Sequence, residues 1–291
     1  MNLRIVFFEN TAQNKVERDQ IHDFMVPGLG VMGDHVTIST GLYEPCDVAA
    51  IMWSPRNDAT DRSRLARTIR NLHGRNLLMF ELPILRHIPN WWSYYRVGFD
   101  HVHGGGRFSV GTPSSDRAKA LELQLAPWRI SGGPVVIAGQ LPGDFSLDGV
   151  DVTEWTLDVA SYLERTSDRP VVIRPHPGDV RTDWRQIAGA LNVEVSQEAL
   201  AADLARAGTW VSFTSGSAVD AVLAGVPSIC LARANLSWDV SAHSLRALDL
   251  PWTGDRTAWL ARITYSQWSR TEIRDGACWR HLSQLVEAAA L

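Results

Sequence analysis

The feature that most restricts this chain is an alternation of short apolar runs with amphipathic stretches, sustained over most of its 291 residues. Arg4–Phe8 reads as a buried strand, Lys15–Phe24 as a helix and His35–Ser39 as a strand. A strand at Asp47–Trp53, a helix at Thr60–His73 and a strand at Asn76–Phe80 follow. Such repetition predicts a parallel sheet covered by helices, because parallel neighbours need crossover connections. From Pro83 to Pro127 the pattern lapses. That stretch carries Trp91-Trp92, Tyr94-Tyr95 and His101-Val102-His103-Gly104-Gly105-Gly106, and aromatics beside glycine-rich backbone suit surface loops that line a cleft. Around Ser131-Gly132-Gly133 the alternation restarts. Strands are expected at Pro134–Gly139, Pro170–Arg174, Val193–Val195, Trp210–Phe213 and Ser228–Ala232, with helices at Trp155–Arg165, Trp184–Leu191, Ala199–Ala207 and Ala218–Ala224.

The expected architecture is therefore α/β, with two Rossmann-like domains over 1–129 and 130–291 and parallel sheets facing an interdomain cleft. The last helix, 276–290, would pack back on the N-terminal domain. A hydrophobic content of 45% with 21% charged residues suits two such cores. No apolar run reaches the ~18–20 residues that span a bilayer, and Ile5-Val6-Phe7-Phe8 runs straight into Glu9 without a signal-peptide pattern. The expectation is a cytoplasmic protein without a transmembrane segment. Cys46, Cys230 and Cys278 lie far apart with no Cys-x-x-Cys spacing, which argues against a disulfide framework or a structural zinc site. The formal charge of −4 gives no global pull toward nucleic acid but leaves room for a local basic patch.

Three polar segments fall at expected strand ends: Gly139-Gln140-Leu141-Pro142-Gly143-Asp144-Phe145-Ser146, Arg174-Pro175-His176-Pro177 and Thr214-Ser215-Gly216-Ser217. In an open parallel sheet ligands bind beyond the carboxyl ends of the strands, so these segments should converge. Small hydroxyl residues and glycine at a helix start present unpaired N–H groups to a phosphate, although Ser215 or Ser217 could equally be a plain N-cap. Two prolines fix the backbone around His176, whose imidazole can donate to a phosphate oxygen; the bland reading is a loop histidine bonded to backbone. Asp144 can serve as nucleophile, base or sugar-hydroxyl acceptor, or simply cap a turn after Pro142-Gly143.

The ordered set Gln140-x-x-x-Asp144-x-Ser146, Arg174-Pro-His-Pro and Ser215-Gly216-Ser217, leading into Ala221-Val222-Leu223-Ala224-Gly225-Val226-Pro227, resembles the bacterial capsular-polysaccharide Kdo-transferase family. That resemblance covers about Pro134–Cys230. It implies a GT-B fold and a CMP-activated sugar; the expected donor is a nucleotide-sugar, CMP- or UDP-linked, with no metal or other cofactor. By it, Asp144 would act at the reacting sugar and His176 would hold the donor phosphate. Gln140, Ser146, Arg174, Thr214, Ser215, Gly216, Ser217 and Asp220 would complete the donor site. Asp220 stands where the family usually has glutamate, and Arg174 replaces a common lysine. More loosely, Phe80-Glu81-Leu82, the stretch Tyr95–Asp100 and the glycines before Phe108 resemble phage-encoded proteins of glycosyltransferase type. That similarity implies an acceptor that is either a surface glycan or hydroxymethylated bases of phage DNA, and a host-cytoplasmic location for a phage-encoded chain. Glu81 is then a second catalytic candidate. Trp91, Trp92, His101, His103, Arg62 and Arg67 are the acceptor-binding candidates. The run Arg62, Arg64, Arg67, Arg70 and Arg75 would grip phosphates or carboxylates, or form a solvated helix face.

Two motifs mislead. Gly28-Leu29-Gly30-Val31-Met32-Gly33 matches the dinucleotide fingerprint, but it follows a helix and precedes a strand, the reverse of the required context. His103-Gly104-Gly105-Gly106 matches an esterase oxyanion loop, but Ser217 lacks the second glycine of a nucleophile elbow. No Asp-x-Asp pair sits where a metal-dependent transferase needs one. The expectation is a metal-independent glycosyltransferase. The alternatives are a non-catalytic nucleotide- or glycan-binding module and, behind it, a serine hydrolase.

Overall fold

The computed structural model describes residues 2–10, 13–54, 60–111, 113–130 and 132–286, without the side chains of Asp61 and Arg62. The chain divides into two compact units, one of Met1–Leu123 with Leu260–Leu291 and one of Gln124–Trp259. The reading from sequence kept 130–291 together apart from the final helix. In the structure the return begins earlier, at Leu260, because a strand and two short helices of that segment complete the first unit.

The first unit opens with β1 (Arg4–Phe8), whose residues 5–8 are all buried. Asn14 and Glu17 close a capping box on α1 (Lys15–Gln20). A π-type turn at Ile21–Met25 and α2 (Val26–Gly30), with a proline in its first turn, prolong that rod beyond the expected end at Phe24. Next come β2 (His35–Ser39), β3 (Val48–Met52), α3 (Asp61–His73) and β4 (Leu77–Glu81). Thr60 caps α3, and the helix lays Ala66 and Ile69 on one face of the sheet with Val6, Ala49, Leu77 and Met79. β1 to β4 are parallel, in the order β4-β3-β1-β2. The expected loop region contains a strand, β5 (Tyr94–Phe99), antiparallel to β4, and then α4 (Asp116–Ala120). This corrects the reading of Tyr94 and Tyr95 as loop aromatics. Tyr95, Val97 and Phe99 alternate onto the buried face with Phe7, Met52 and Phe80.

The second unit is a five-stranded, all-parallel sheet. Its elements are β6 (Val135–Ala138), α5 (Val152–Thr166), β7 (Val171–Arg174), α6 (Trp184–Ile187), β8 (Glu194–Val195), α7 (Leu200–Arg206), β9 (Thr209–Ser212), α8 (Ser217–Leu223) and β10 (Ser228–Cys230). Asp151 caps α5 through the N–H groups of Thr153 and Glu154, and the helix buries Val152, Thr156, Val159, Ala160 and Leu163 along one stripe. The strand order is β10-β9-β6-β7-β8. The chain therefore moves outward from β6 through β7 and β8, then returns to the other side of β6 as β9, which is the Rossmann order with its switch point between β6 and β9.

After α9 (Thr257–Thr264) the chain adds β11 (Gln267–Ser269) antiparallel to β5, then α10 (Arg270–Arg274) and α11 (Ala277–Leu282). Ile273, Cys278, Trp279 and Leu282 fill the core over Phe7, Leu78 and Phe99. Residues 287–290 of the expected last helix lie outside the described residues. The first sheet is thus mixed at one edge and parallel elsewhere. Burial pushes the Cys46 and Cys230 thiols up to about 11, consistent with inert packing residues. No helix among the described residues is long and apolar enough to cross a membrane.

Candidate active site

Two of the three polar segments meet through direct hydrogen bonds at the switch point. The loop after β6 carries Gln140, Asp144 and Ser146, and the loop after β9 carries Thr214. Gln140 Nε2 donates to Ser146 Oγ at 2.7 Å and to Thr214 Oγ1 at 2.8 Å, while its Oε1 accepts from the Thr214 N–H at 3.3 Å. Ser146 Oγ lies 2.7 Å from Thr214 Oγ1. Gln140, Ser146 and Thr214 are buried, so their polar atoms are satisfied by one another.

This network ends on Asp144. Ser146 gives its Oδ1 two hydrogen bonds, from Oγ at 2.6 Å and from the backbone N–H at 2.9 Å. Asp144 is therefore the cap of the short 3-10 turn Phe145–Leu147, which is the bland role its sequence allowed. Capping uses one oxygen. Among the described residues no hydrogen bond is formed by Oδ2, and the side chain is half-buried. A carboxylate with one oxygen pinned and the other open has a fixed direction of attack.

The third segment adjoins through Gly139. Its N–H donates to the Arg174 carbonyl at 2.8 Å, and a Cβ there would stand 3.0 Å from that oxygen and 3.3 Å from the His176 nitrogen. Glycine lets the two loops touch. The Gly178 N–H donates to His176 Nδ1 at 3.0 Å, so the neutral ring carries its proton on Nε2.

Arg174 is placed differently. Its guanidinium donates to Asp203 Oδ2 at 2.5 Å and to the Glu198 carbonyl at 2.7 Å. Asp203 is fully buried and also accepts from Ser196 and Arg206. Burial alone would raise its pKa, but the hydrogen bonds from Ser196, Arg206 and Arg174 outweigh that and hold the carboxyl below its ordinary range. Arg174 is thus an anchor tying the end of β7 to α7. Sequence reasoning missed Asp203, and it also missed Asn235, whose amide ties the loop after β10 to Ser212 Oγ and the Phe213 carbonyl, each at 3.0 Å.

Gly216 is the N-cap of α8, with no side-chain cap bond. Neither serine is the N-cap that the bland reading proposed. Ser215 Oγ and Ser217 Oγ lie 2.9 Å apart, and Trp210 Nε1 donates to Ser217 at 3.2 Å. Asp220 is half-buried in the first turn of α8. No histidine is among the hydrogen-bond partners of Ser217 in the described residues, and His243 instead stacks on Trp238 at 3.5 Å.

The candidates of the first unit do not form one cluster. Glu81 is buried, with Oε2 accepting from the Ser54 N–H and hydroxyl and Oε1 from the Leu82 N–H. His103 is buried beside His101, whose Nδ1 accepts from the His103 N–H at 2.9 Å. Arg67 sits on α3, and the Arg62 side chain lies outside the described residues. Trp91 and Trp92 instead line a groove with Trp53 and Tyr95. The α3 helix packs on the sheet face carrying Val6 and Met79, whereas Tyr95 belongs to the opposite face.

No family model matches the chain, and no curated protein matches it. Among solved structures it is similar to the Thermosulfurimonas dismutans KpsC beta Kdo 2,4 transferase, with 14% identity and a TM-score of 0.52, over 91% of this chain and 90% of that one. It is also similar to the KpsC beta Kdo 2,7 transferase of that organism, with 13% identity and a TM-score of 0.51, over 97% and 99%. The chain therefore resembles the GT-B capsular Kdo transferases in fold, with two Rossmann-like sheets.

Proposed function

We propose that this protein is a metal-independent GT-B glycosyltransferase that moves a sugar from a nucleotide-activated donor to an acceptor hydroxyl. The observation that carries the reading is Asp144 at the switch point of the second sheet, with Oδ1 held by Ser146 and no hydrogen bond on Oδ2 among the described residues. Its setting in a fold shared with two Kdo transferases supports transferase chemistry over a bare phosphate cradle. Asp144 acts at the anomeric carbon, as nucleophile or as base toward the acceptor hydroxyl. Gln140 and Thr214 orient Ser146, and Ser146 orients Asp144. The His176 Nε2–H and the Ser215 and Ser217 hydroxyls donate to the departing phosphate, which stabilises the charge that grows there. The donor is a CMP- or UDP-sugar, and the acceptor is a glycan engaged by the first unit.

The test is turnover of CMP- and UDP-sugars by wild type and Asp144→Asn. The asparagine variant should lose about 10²–10⁴ in kcat while keeping donor affinity within about threefold. Equal turnover in the two proteins would refute the assignment. If neither CMP nor UDP raises the melting temperature of the wild-type protein, the donor reading fails as well.

A further inference from the structure

The first unit holds a groove of about 670 Å³. Its walls are Trp53, Trp91, Trp92 and Tyr95, with Glu17 and Arg270 at the polar edge. The volume lies within the ~300–1,000 Å³ usual for small-ligand sites. Its place in the fold is informative. Trp53 directly follows β3, Leu82 and Pro83 follow β4, and α1 follows β1, so the groove lies at the carboxyl ends of parallel strands. The bond from Trp53 Nε1 to Glu17 Oε1, 2.8 Å long, joins the exits of β3 and β1, where this sheet has its own switch point.

Two observations show that the walls are held in unusual conformations. Trp53 has φ of 73°, a left-handed conformation that a bulky L-residue rarely takes, fixed by its N–H to the Phe80 carbonyl at 2.7 Å and by Glu17. Asn90, immediately before Trp91-Trp92, has φ of 55°. Trp92 is 63% exposed and meets Trp91 edge-on at 6.3 Å, so an indole face is presented to solvent. The polar edge carries little net charge, because Glu17 offsets Arg270 and Lys15 is tied to Asp19 at 2.7 Å. The α3 helix, which carries Arg64, Arg67 and Arg70, packs on the other face of the sheet. Aromatic planes with few cations suit a sugar ring, apolar on its C–H faces and polar around its rim, better than a phosphate backbone.

We propose that this groove binds a pyranose residue of a glycan, stacked on Trp92 and bounded by Trp53 and Tyr95. The name acceptor for that glycan rests on the transferase reading; the binding does not. The probes are immobilised maltotriose, chitotriose and lactose-terminated oligosaccharides, with a hydroxymethylated DNA duplex alongside, presented to the full chain. At least one saccharide should be retained by wild type. Trp92→Ala should weaken that retention about tenfold, and Trp92→Phe should restore most of it. Melting temperatures of both variants check that the exposed position leaves the fold intact. Retention of no saccharide, retention unchanged in Trp92→Ala, or capture of the duplex instead would overturn the proposal. Asp144→Asn should bind the saccharide like wild type. Saccharide binding with full turnover in Asp144→Asn would therefore sink the catalytic assignment alone.

Discussion

Glu81 and Asp144 are both carboxylates at strand ends, and the hydrogen bonds around them separate their roles. Glu81 accepts three bonds, from the Ser54 N–H, the Ser54 hydroxyl and the Leu82 N–H, and is buried. A glutamine there would present an amide N–H₂ to donors, leaving at least one buried N–H unmet at a cost of about 1–3 kcal/mol. Glu81→Gln should therefore lower the stability of the first unit and leave kcat for donor turnover within about twofold of wild type. A hundredfold loss of kcat at unchanged stability would return Glu81 to the chemistry. Residue spacing made the Asp144 site legible, because Gln140, Asp144 and Ser146 sit in one short loop whose hydrogen bonds close locally. The partner of Arg174 was not legible. Asp203 lies 29 residues on, and only the pairing of β7 with β8 brings α7 within reach.

Elements with unbroken apolar runs were readable because burial on both sides of a parallel sheet leaves that signature, as in β1, β3 and β6. β5 was not, since Arg96 and Gly98 alternate with its core residues and Tyr94-Tyr95 stands next to the Trp pair. β11 is three residues long, and its Gln267 is buried only because its side chain bonds the Ile84 and Leu85 backbone, a long-range fact with no local trace. The glycines of the false dinucleotide motif find their reason at this scale too. A Cβ on Gly28 would stand 1.9 Å from the Ile273 carbonyl oxygen, so glycine lets α2 approach the backbone of α10. Alanine would gain up to ~1 kcal/mol of helix propensity, but the blocking atom is backbone, and overpacking of this kind costs about 1–3 kcal/mol. Gly28→Ala should cost a net ~1–2 kcal/mol of stability and so lower the urea midpoint. An unchanged or higher midpoint would show that the two helices separate at no cost.

At the scale of the molecule, the two units differ in the groups that folding perturbs. In the first unit burial holds His73, His103 and His281 below their ordinary 6.5, most strongly at His103, where Arg96 and His101 add to it. A histidine kept neutral by the fold binds fewer protons than its unfolded counterpart once pH falls below 6.5. Its contribution to stability is therefore intact above that value and declines as pH drops. In the second unit the acids that folding lowers are carboxylates. Hydrogen bonds from Arg206 lower Glu194, and those from Ser196, Arg206 and Arg174 lower Asp203 against the effect of its burial. Their contribution is complete above the ordinary carboxyl range near 4 and is lost only as pH falls through their lowered values. Between pH 7.5 and 5.5 the first unit should weaken while the second does not. Each histidine that stays neutral at pH 5.5 would reduce the folded-to-unfolded ratio by about tenfold. Hydrogen exchange on the full chain, corrected for the pH dependence of intrinsic exchange, reads the two separately. Protection of Leu77–Glu81 and Tyr94–Phe99 should fall by about tenfold or more, and that of Val135–Ala138 and Thr209–Ser212 should hold. Equal losses in both sheets, or a loss confined to the second, would mean that these histidines do not set the acid sensitivity of the fold.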